Sequence, residues 1–403
     1  MKVKYLILGA GPAGLALANK LKQLREGSYL VLEKEKTAGG LCRTQEVDES
    51  PLDIGGGHFL DVRNEKVNEF LFGFMPRNEW NLYDRDSRIQ LGDVVLGHPF
   101  EANIWQLNQE KQIEYLKSIA IAGCNLDMDM PEKFVDWIKW KLGECIARDY
   151  MIPYNQKMFG DDLNQLGTYW LEKLPNVSFE ETLLSCLNKK PYGTQPGHAK
   201  FYYPKEYGYG ELWMRMADAL GDKILYKKVV SGIDFEKRIV SCEDGTNYEA
   251  EYIITTIPWT CIKKLVGMPL ELQENIQKLK YTSVNVTYYS EKLDTEAHWI
   301  YYPNIELEYH RILVRSNFVP NGKGYWTETN SERFNMNGRE TFFNKYAYPL
   351  NTIEKPIIMK ELLKWSKDKN VIGLGRWGEW QHYNSDVTVN RALELAQILV
   401  DNA

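Results

Sequence analysis

The chain has 403 residues, 44% hydrophobic and 26% charged, with a formal net charge of −6. Its length predicts roughly two to three domains of ordinary soluble composition, and its acidic balance argues against a nucleic-acid partner, which needs a basic face. An anionic ligand stays open, because a few local arginines reverse the field inside one cleft.

Residues 3–8 (VKYLIL) predict a short buried strand, GAGPAG a turn, and LALANKLKQL a helix with apolar positions at helical spacing. Gly9, Gly11, Pro12 and Gly14 interrupt the apolar run, and Asn19 and Lys20 end it, so it does not read as a signal peptide. SYLVLEKE predicts a second strand, completing a β–turn–α–β unit that starts a parallel sheet. Residues 105–190 carry helical periodicity and few β runs. Residues 200–260 return to strand-like segments ending in YIITTIP, and 281–330 read as antiparallel strands rich in β-branched and aromatic residues. NVIGLGRWGEW followed by TVNRALELAQILV reads as strand, glycine turn and terminal helix. No segment reaches the ~18 apolar residues of a membrane helix. Cys42, Cys124, Cys145, Cys186, Cys242 and Cys261 show no CxxC pair and no metal-ligand spacing, the pattern of reduced thiols in a cytoplasmic protein.

The expected fold is α/β. A Rossmann-like domain comprises 1–104 with 200–260 and 365–403, a mostly helical domain spans 105–199, and an antiparallel-sheet substrate domain spans 261–364. Gly9-x-Gly11-Pro12-Ala13-Gly14 sits between strand and helix, where a dinucleotide's phosphates meet free N–H groups and a helix dipole. Gly9 permits the tight turn, Gly11 admits a pyrophosphate, and Gly14 allows helix and strand to pack closely. Glu33 ends the second strand, placed to accept hydrogen bonds from ribose hydroxyls.

The second glycine pair, Gly39 and Gly40 in KEKTAGGLCRT, followed by LDIGGGHFL, resembles the large flavoprotein group of amine oxidases, protoporphyrinogen oxidase, phytoene desaturases and UDP-galactopyranose mutases. GLGRWGEW is similar to that group's flavin-closing segment, and Val230 matches the position whose backbone meets adenine. FAD is therefore the expected cofactor. Its implied contacts include Lys34, Gly40, Leu41, Gly56, Gly57, His58, Gly375, Arg376 and Asn384.

Across nearly the whole chain the resemblance narrows to the eukaryotic-type UDP-galactopyranose mutase family. It is carried by NEWNLYDRDSRIQLGDVVLGHPFEANIWQL, MIPYNQKMF with Asn155, FYYPKEYGYGELW, HWIYYPNIELEYHRILVRSNFVP with Trp299, Tyr301 and Arg311, YAYPLNT with Tyr348, and GRWGEWQHYNSD with Arg376 and Asn384. It implies isomerisation of a nucleotide-diphosphate sugar between pyranose and furanose forms, without net redox change, with N5 of reduced FAD as nucleophile. It also implies a place in cell-surface polysaccharide biosynthesis and a flavin reductant such as NAD(P)H. Arg311 and Arg376 would clamp the diphosphate with forked hydrogen bonds, helped by Tyr301 and Tyr348 as neutral donors. His58, Arg311, Arg376 and Asn384 are the implied catalytic set. The alternative is a hydride-transferring FAD oxidase or desaturase of the same broad fold.

Several positions depart from the family. Its aromatic-x-Phe-Gln run at uracil reads His98-Pro99-Phe100-Glu101, an arginine is replaced by Lys173, a tyrosine by His382, and the glycine loop before His58 carries one extra residue. Glutamate in place of glutamine leaves only acceptors, which weakens uridine and suits a base with more donors, such as guanine.

Overall fold

The structure is a computed structural model that describes residues 1–171, 174, 176–193, 199–336 and 338–401. The first sheet grows from β1 (Lys2–Leu8) and β2 (Tyr29–Leu32), paired in parallel and joined by α1 (Pro12–Gln23). The strand Asn247–Thr255 lies parallel to β1 on its other side, and Val371–Gly373 lies parallel to that strand in turn. Eight strands make up this sheet among the described residues. Alternation along β1 explains its two-sided burial: Tyr5 and Ile7 join the core beneath α1, while Leu6 and Leu8 face the core containing Trp259, Leu362 and Trp380.

α1 starts at Pro12, where the missing N–H costs nothing, and buries Leu15, Ala16, Leu17 and Ala18. The long C-terminal helix Ser385–Asp401 packs on it. Gly14 is required by the fold itself, since a Cβ there would lie 2.0 Å from the Gly9 carbonyl oxygen.

A second, seven-stranded sheet contains Tyr281–Tyr289, Trp299–Tyr301, Tyr309–Leu313, Tyr325–Asn330 and Thr341–Pro349. Residues 87–97, expected in the dinucleotide-binding domain, pair into this sheet, because Ser87–Leu91 runs parallel to Trp299–Tyr301. That excursion carries the chain from one sheet to the other and brings Arg85 to the junction. The helices Gln109–Ala120, Phe134–Ile146, Ile152–Phe159 and Phe179–Asn188 form the expected helical region. The last begins with a Ser178–Glu181 capping box. The segment Lys355–Asp368, mostly expected in the substrate domain, is a helix packed against Val371–Gly373 on the first sheet.

Candidate functional site: a glycine cradle opening on an arginine-lined cleft

The cradle assembles where β1 ends. The Ala10 N–H donates to Glu33 at 2.8 Å and the Glu35 N–H donates to its other oxygen at 2.9 Å, so backbone amides fix this carboxylate at the end of β2. The Gly39 N–H donates to the Ala10 carbonyl at 2.8 Å, tying the second glycine loop to the first. Gly40 then presses on Gly11, where a Cβ on Gly40 would stand 3.2 Å from the Gly11 Cα. From the far side, a Cβ on Gly375 would meet Ala13 at 2.7 Å. Gly11 is different. A Cβ there would meet only the Gly40 Cα, at 3.8 Å. Protein packing thus tolerates a side chain at Gly11, and the glycine makes sense as room for a pyrophosphate on the α1 N-terminus. Val230 lies buried at the start of its strand, whereas Lys34 is exposed and faces Glu35 at 3.5 Å. These residues fit FAD.

The cradle opens on a cleft lined by Leu41, Gly55, Gly57 and His58 on one side and by Trp299, Tyr301, Arg311 and Tyr348 from the second sheet on the other. Arg376, His382, Asn384 and Ser385 close its third side, and Arg85, Phe59 and Phe201 its end. Of the expected catalytic residues, His58, Arg311, Arg376 and Asn384 all line it.

Strand register explains the second-sheet wall. Tyr301 lies directly opposite Arg311, and Arg311 opposite Glu328, so the three form a row across neighbouring strands. Arg311 pairs with Glu328 and also donates to the Tyr348 hydroxyl at 3.4 Å. Burial works against the Arg311 charge, but Glu328, with the Tyr348 and Tyr154 hydroxyls, outweighs it and holds the pKa above the usual arginine range. Glu328 also accepts the Gly57 N–H at 2.8 Å, joining the substrate-side arginine to the flavin-side glycine loop.

Among the described residues Arg376 has no carboxylate partner. Its Nε and Nη2 donate to the Tyr383 carbonyl at 3.0 and 2.8 Å, and its Nη1 to the Ala347 carbonyl at 3.0 Å. Burial lowers its pKa. Arg85 lacks one too: Nε donates to Ser87 Oγ at 3.1 Å, Nη2 to the Tyr301 hydroxyl at 2.8 Å, and the guanidinium lies 4.5 Å from the Trp299 ring centre. Trp299 Nε1 donates to the same hydroxyl at 2.9 Å, so Tyr301 accepts twice and keeps its own proton for a ligand.

His58 Nδ1 lies 3.0 Å from the Gly56 carbonyl, which can only accept, so Nδ1 carries the proton and Nε2 is a bare acceptor. Burial, reinforced by Arg376 and Arg311, pushes the His58 pKa down to about 3, and the ring is neutral across the physiological range.

Other expected substrate residues lie deeper. Phe100 is fully buried between Tyr115 and Tyr150, and Glu101 is buried beside it. Asn155 donates to Met151 O at 2.7 Å, His98 lies against the Tyr301 ring, and His382 packs 4.8 Å from Tyr348. Lys173 lies outside the described residues.

Two residues escape sequence reasoning. Arg85 stands in an Asp-Arg-Asp run that reads as solvated surface. In the fold Asp84 pairs with Lys200 and Asp86 with Arg88, which leaves Arg85 alone in the cleft. Glu328 is a lone acid in the strand YWTETN, and that isolation among apolar and β-branched residues is the signal that could have found it.

Comparisons with known proteins agree with this geometry. The NAD(P)-binding Rossmann-like domain model matches residues 7–72, and the flavin containing amine oxidoreductase model matches residues 143–292. The chain is 22% identical to a UDP-galactopyranose mutase from Mycoplasma genitalium, over 98% of this chain and 94% of that one. A crystal structure of reduced UDP-galactopyranose mutase superposes with a TM-score of 0.90 at 20% identity, covering 100% of this chain and 95% of that one. A putative protoporphyrinogen oxidase from Exiguobacterium sp. 255-15 gives 0.72 at 12% identity, covering 99% of each chain. Fold, cradle and matches define an FAD-binding protein built on a Rossmann-like domain, with a fold similar to that of the flavin-containing amine oxidoreductases. Within that group, the chain has the fold of UDP-galactopyranose mutase.

Proposed function

We propose that the chain is an FAD-dependent mutase interconverting the pyranose and furanose forms of a nucleotide-diphosphate sugar. The observation that carries this reading is charge. Arg85, Arg311 and Arg376 meet at one cleft, Glu328 answers only Arg311, and no carboxylate is among the described residues that line it. The unanswered pair matches the roughly two negative charges of a diphosphate. The mutase named among the relatives acts, by its name, on a sugar of that type. A cationic amine would meet like charge here, which disfavours an amine oxidase.

Reduced FAD, when bound, supplies the nucleophile at the anomeric carbon. The guanidiniums hold the departing diphosphate and keep it beside the sugar for its return. Tyr301 and Tyr348 donate neutral hydrogen bonds to phosphate oxygens. Neutral His58 offers Nε2 as an acceptor at the flavin side without adding a charge that would compete for the diphosphate. Phe59, Phe201 and Trp299 form an aromatic wall that keeps water from the reacting carbon.

The test is to reduce the FAD-loaded protein anaerobically, offer a panel of nucleotide-diphosphate sugars, and identify products by NMR. A furanose isomer of unchanged mass supports the reading. Oxidised products, or no change to any of the sugars, overturn it.

A further inference from the structure

Next to Tyr301 a strip of packed aromatic rings leads inward from the cleft, with His98 and Tyr154 partly exposed and Tyr150 and Phe100 buried behind them. His98 lies 5.0 Å from the Tyr301 ring, and Tyr154 meets Tyr301 edge-on at 5.3 Å. Tyr150 packs on Tyr154 at 5.8 Å, and Phe100 stacks on Tyr150 at 5.5 Å with the planes 19° apart. The Arg85 charge acts on both His98 and Tyr150, so the strip starts beside the cleft's unanswered cations. The partly exposed rings of His98 and Tyr154 suit a nucleobase, whose faces stack on aromatic side chains.

Glu101 stands at the far end of the strip, 7% exposed, with its charge felt at Tyr150. Among the described residues its carboxylate has no side-chain partner. It accepts only its own backbone N–H, and Lys141 acts from a distance. Burial pushes the Glu101 pKa up to about 6, so the group is still ionised at pH 7.5. A buried, unpaired carboxylate is costly, and a ligand bringing N–H donors would remove that cost. The Glu101 carboxylate makes this end of the strip an acceptor.

We propose that the base read here is guanine, whose adjacent N1–H and N2–H donors reach the two oxygens of Glu101 as a forked pair. This assignment rests on the nucleotide-sugar reading above and specifies its substrate class. Uracil and thymine present one N–H between two carbonyl oxygens, which would face the carboxylate with like partial charge. Adenine and cytosine set a single amino group beside a ring acceptor. Of the common bases, guanine alone has two neighbouring donors at carboxylate spacing.

The test is calorimetric titration of the FAD-loaded full chain with GDP, UDP, ADP, CDP and dTDP. GDP is expected to bind about ten-fold or more tighter than the others. Glu101→Gln is expected to weaken GDP about 10–100-fold while leaving UDP unchanged or tighter. Any other diphosphate that matches or beats GDP overturns the base assignment and leaves the nucleotide-sugar reading standing. GDP affinity unmoved in a folded Glu101→Gln protein overturns the role given to that carboxylate. Failure of all five to bind overturns both readings. The wild-type ranking decides the base even if the variant does not fold.

Discussion

Replacing Arg85 with methionine removes one guanidinium while keeping a stem of similar length against Trp299. Arg85 bonds only to neutral groups, Ser87 Oγ at 3.1 Å and the Tyr301 hydroxyl at 2.8 Å, so no carboxylate is stranded by the change. A unit charge about 4 Å from a phosphate charge is worth about 4 kcal/mol at an effective dielectric of about 20. Sharing of the anion with Arg311 and Arg376 reduces this to about 2–4 kcal/mol, or roughly 30–1000-fold in Kd. The lost cation–π contact over Trp299 costs folding stability only about 1 kcal/mol. Calorimetry with the nucleoside diphosphate that binds wild type best, alongside flavin absorbance and urea unfolding, separates the two effects. The account predicts weakened nucleotide binding, FAD retained and a small stability loss. A Kd changed less than about three-fold would refute the reasoning, because at that distance a missing charge cannot be so nearly silent.

Three further changes probe other parts of the account. Gly11→Ala should fold with near wild-type thermal stability but come out largely colourless, since only a ligand needs that space, whereas Gly14→Ala should fail to fold against the Gly9 carbonyl. A Gly11→Ala protein that keeps full FAD would contradict the cradle. Glu328→Gln should lower stability by about 2–4 kcal/mol in urea melts, because Arg311 loses its buried counter-charge. The same variant should bind nucleoside diphosphates several-fold tighter, the cleft being more positive. Lys157 is fully buried, donating to the Tyr302 and Asn304 carbonyls at 2.8 and 2.7 Å, and burial lowers its pKa to about 7. The unfolded chain then holds more protons between about pH 7 and 10.5, so Lys157 makes stability rise with pH across that window and penalises folding in full below it. A shift of that size corresponds to a gain of at most about 5 kcal/mol across the window. Lys157→Met should flatten that part of the urea-midpoint pH profile, and an unchanged slope would count against it.

The cradle was legible in the sequence because its demands are local. A turn, a helix start and a strand-end acid within one short segment leave few alternatives, and Gly9, Gly11, Gly14 and Glu33 stand where the motif puts them. The cleft was legible only through family resemblance, because its residues come from distant segments that sheet pairing alone brings together. Arg85 shows the limit. Its neighbours Asp84 and Asp86 hide it in the sequence, and only the ion pairs to Lys200 and Arg88 show that they do not neutralise it. Glu328 was invisible for a related reason: its meaning lies in register, opposite Arg311 and beneath Gly57, and register is not written in either strand alone. The place of residues 87–97 depended on parallel pairing with Trp299–Tyr301 from far along the chain, which no local pattern signals.

The central claim is that the cleft holds a nucleotide sugar against reduced FAD and returns it isomerised with the electrons still on the flavin. The most direct measurement counts turnovers per reducing equivalent. The holoprotein is reduced once by light under anaerobic conditions, excess reductant is removed, and a large molar excess of the sugar nucleotide is added while flavin absorbance is followed. The account predicts many product molecules per FAD with the flavin spectrum still that of the reduced form. Product capped at one per FAD, with the yellow oxidised spectrum returning in step, would contradict it.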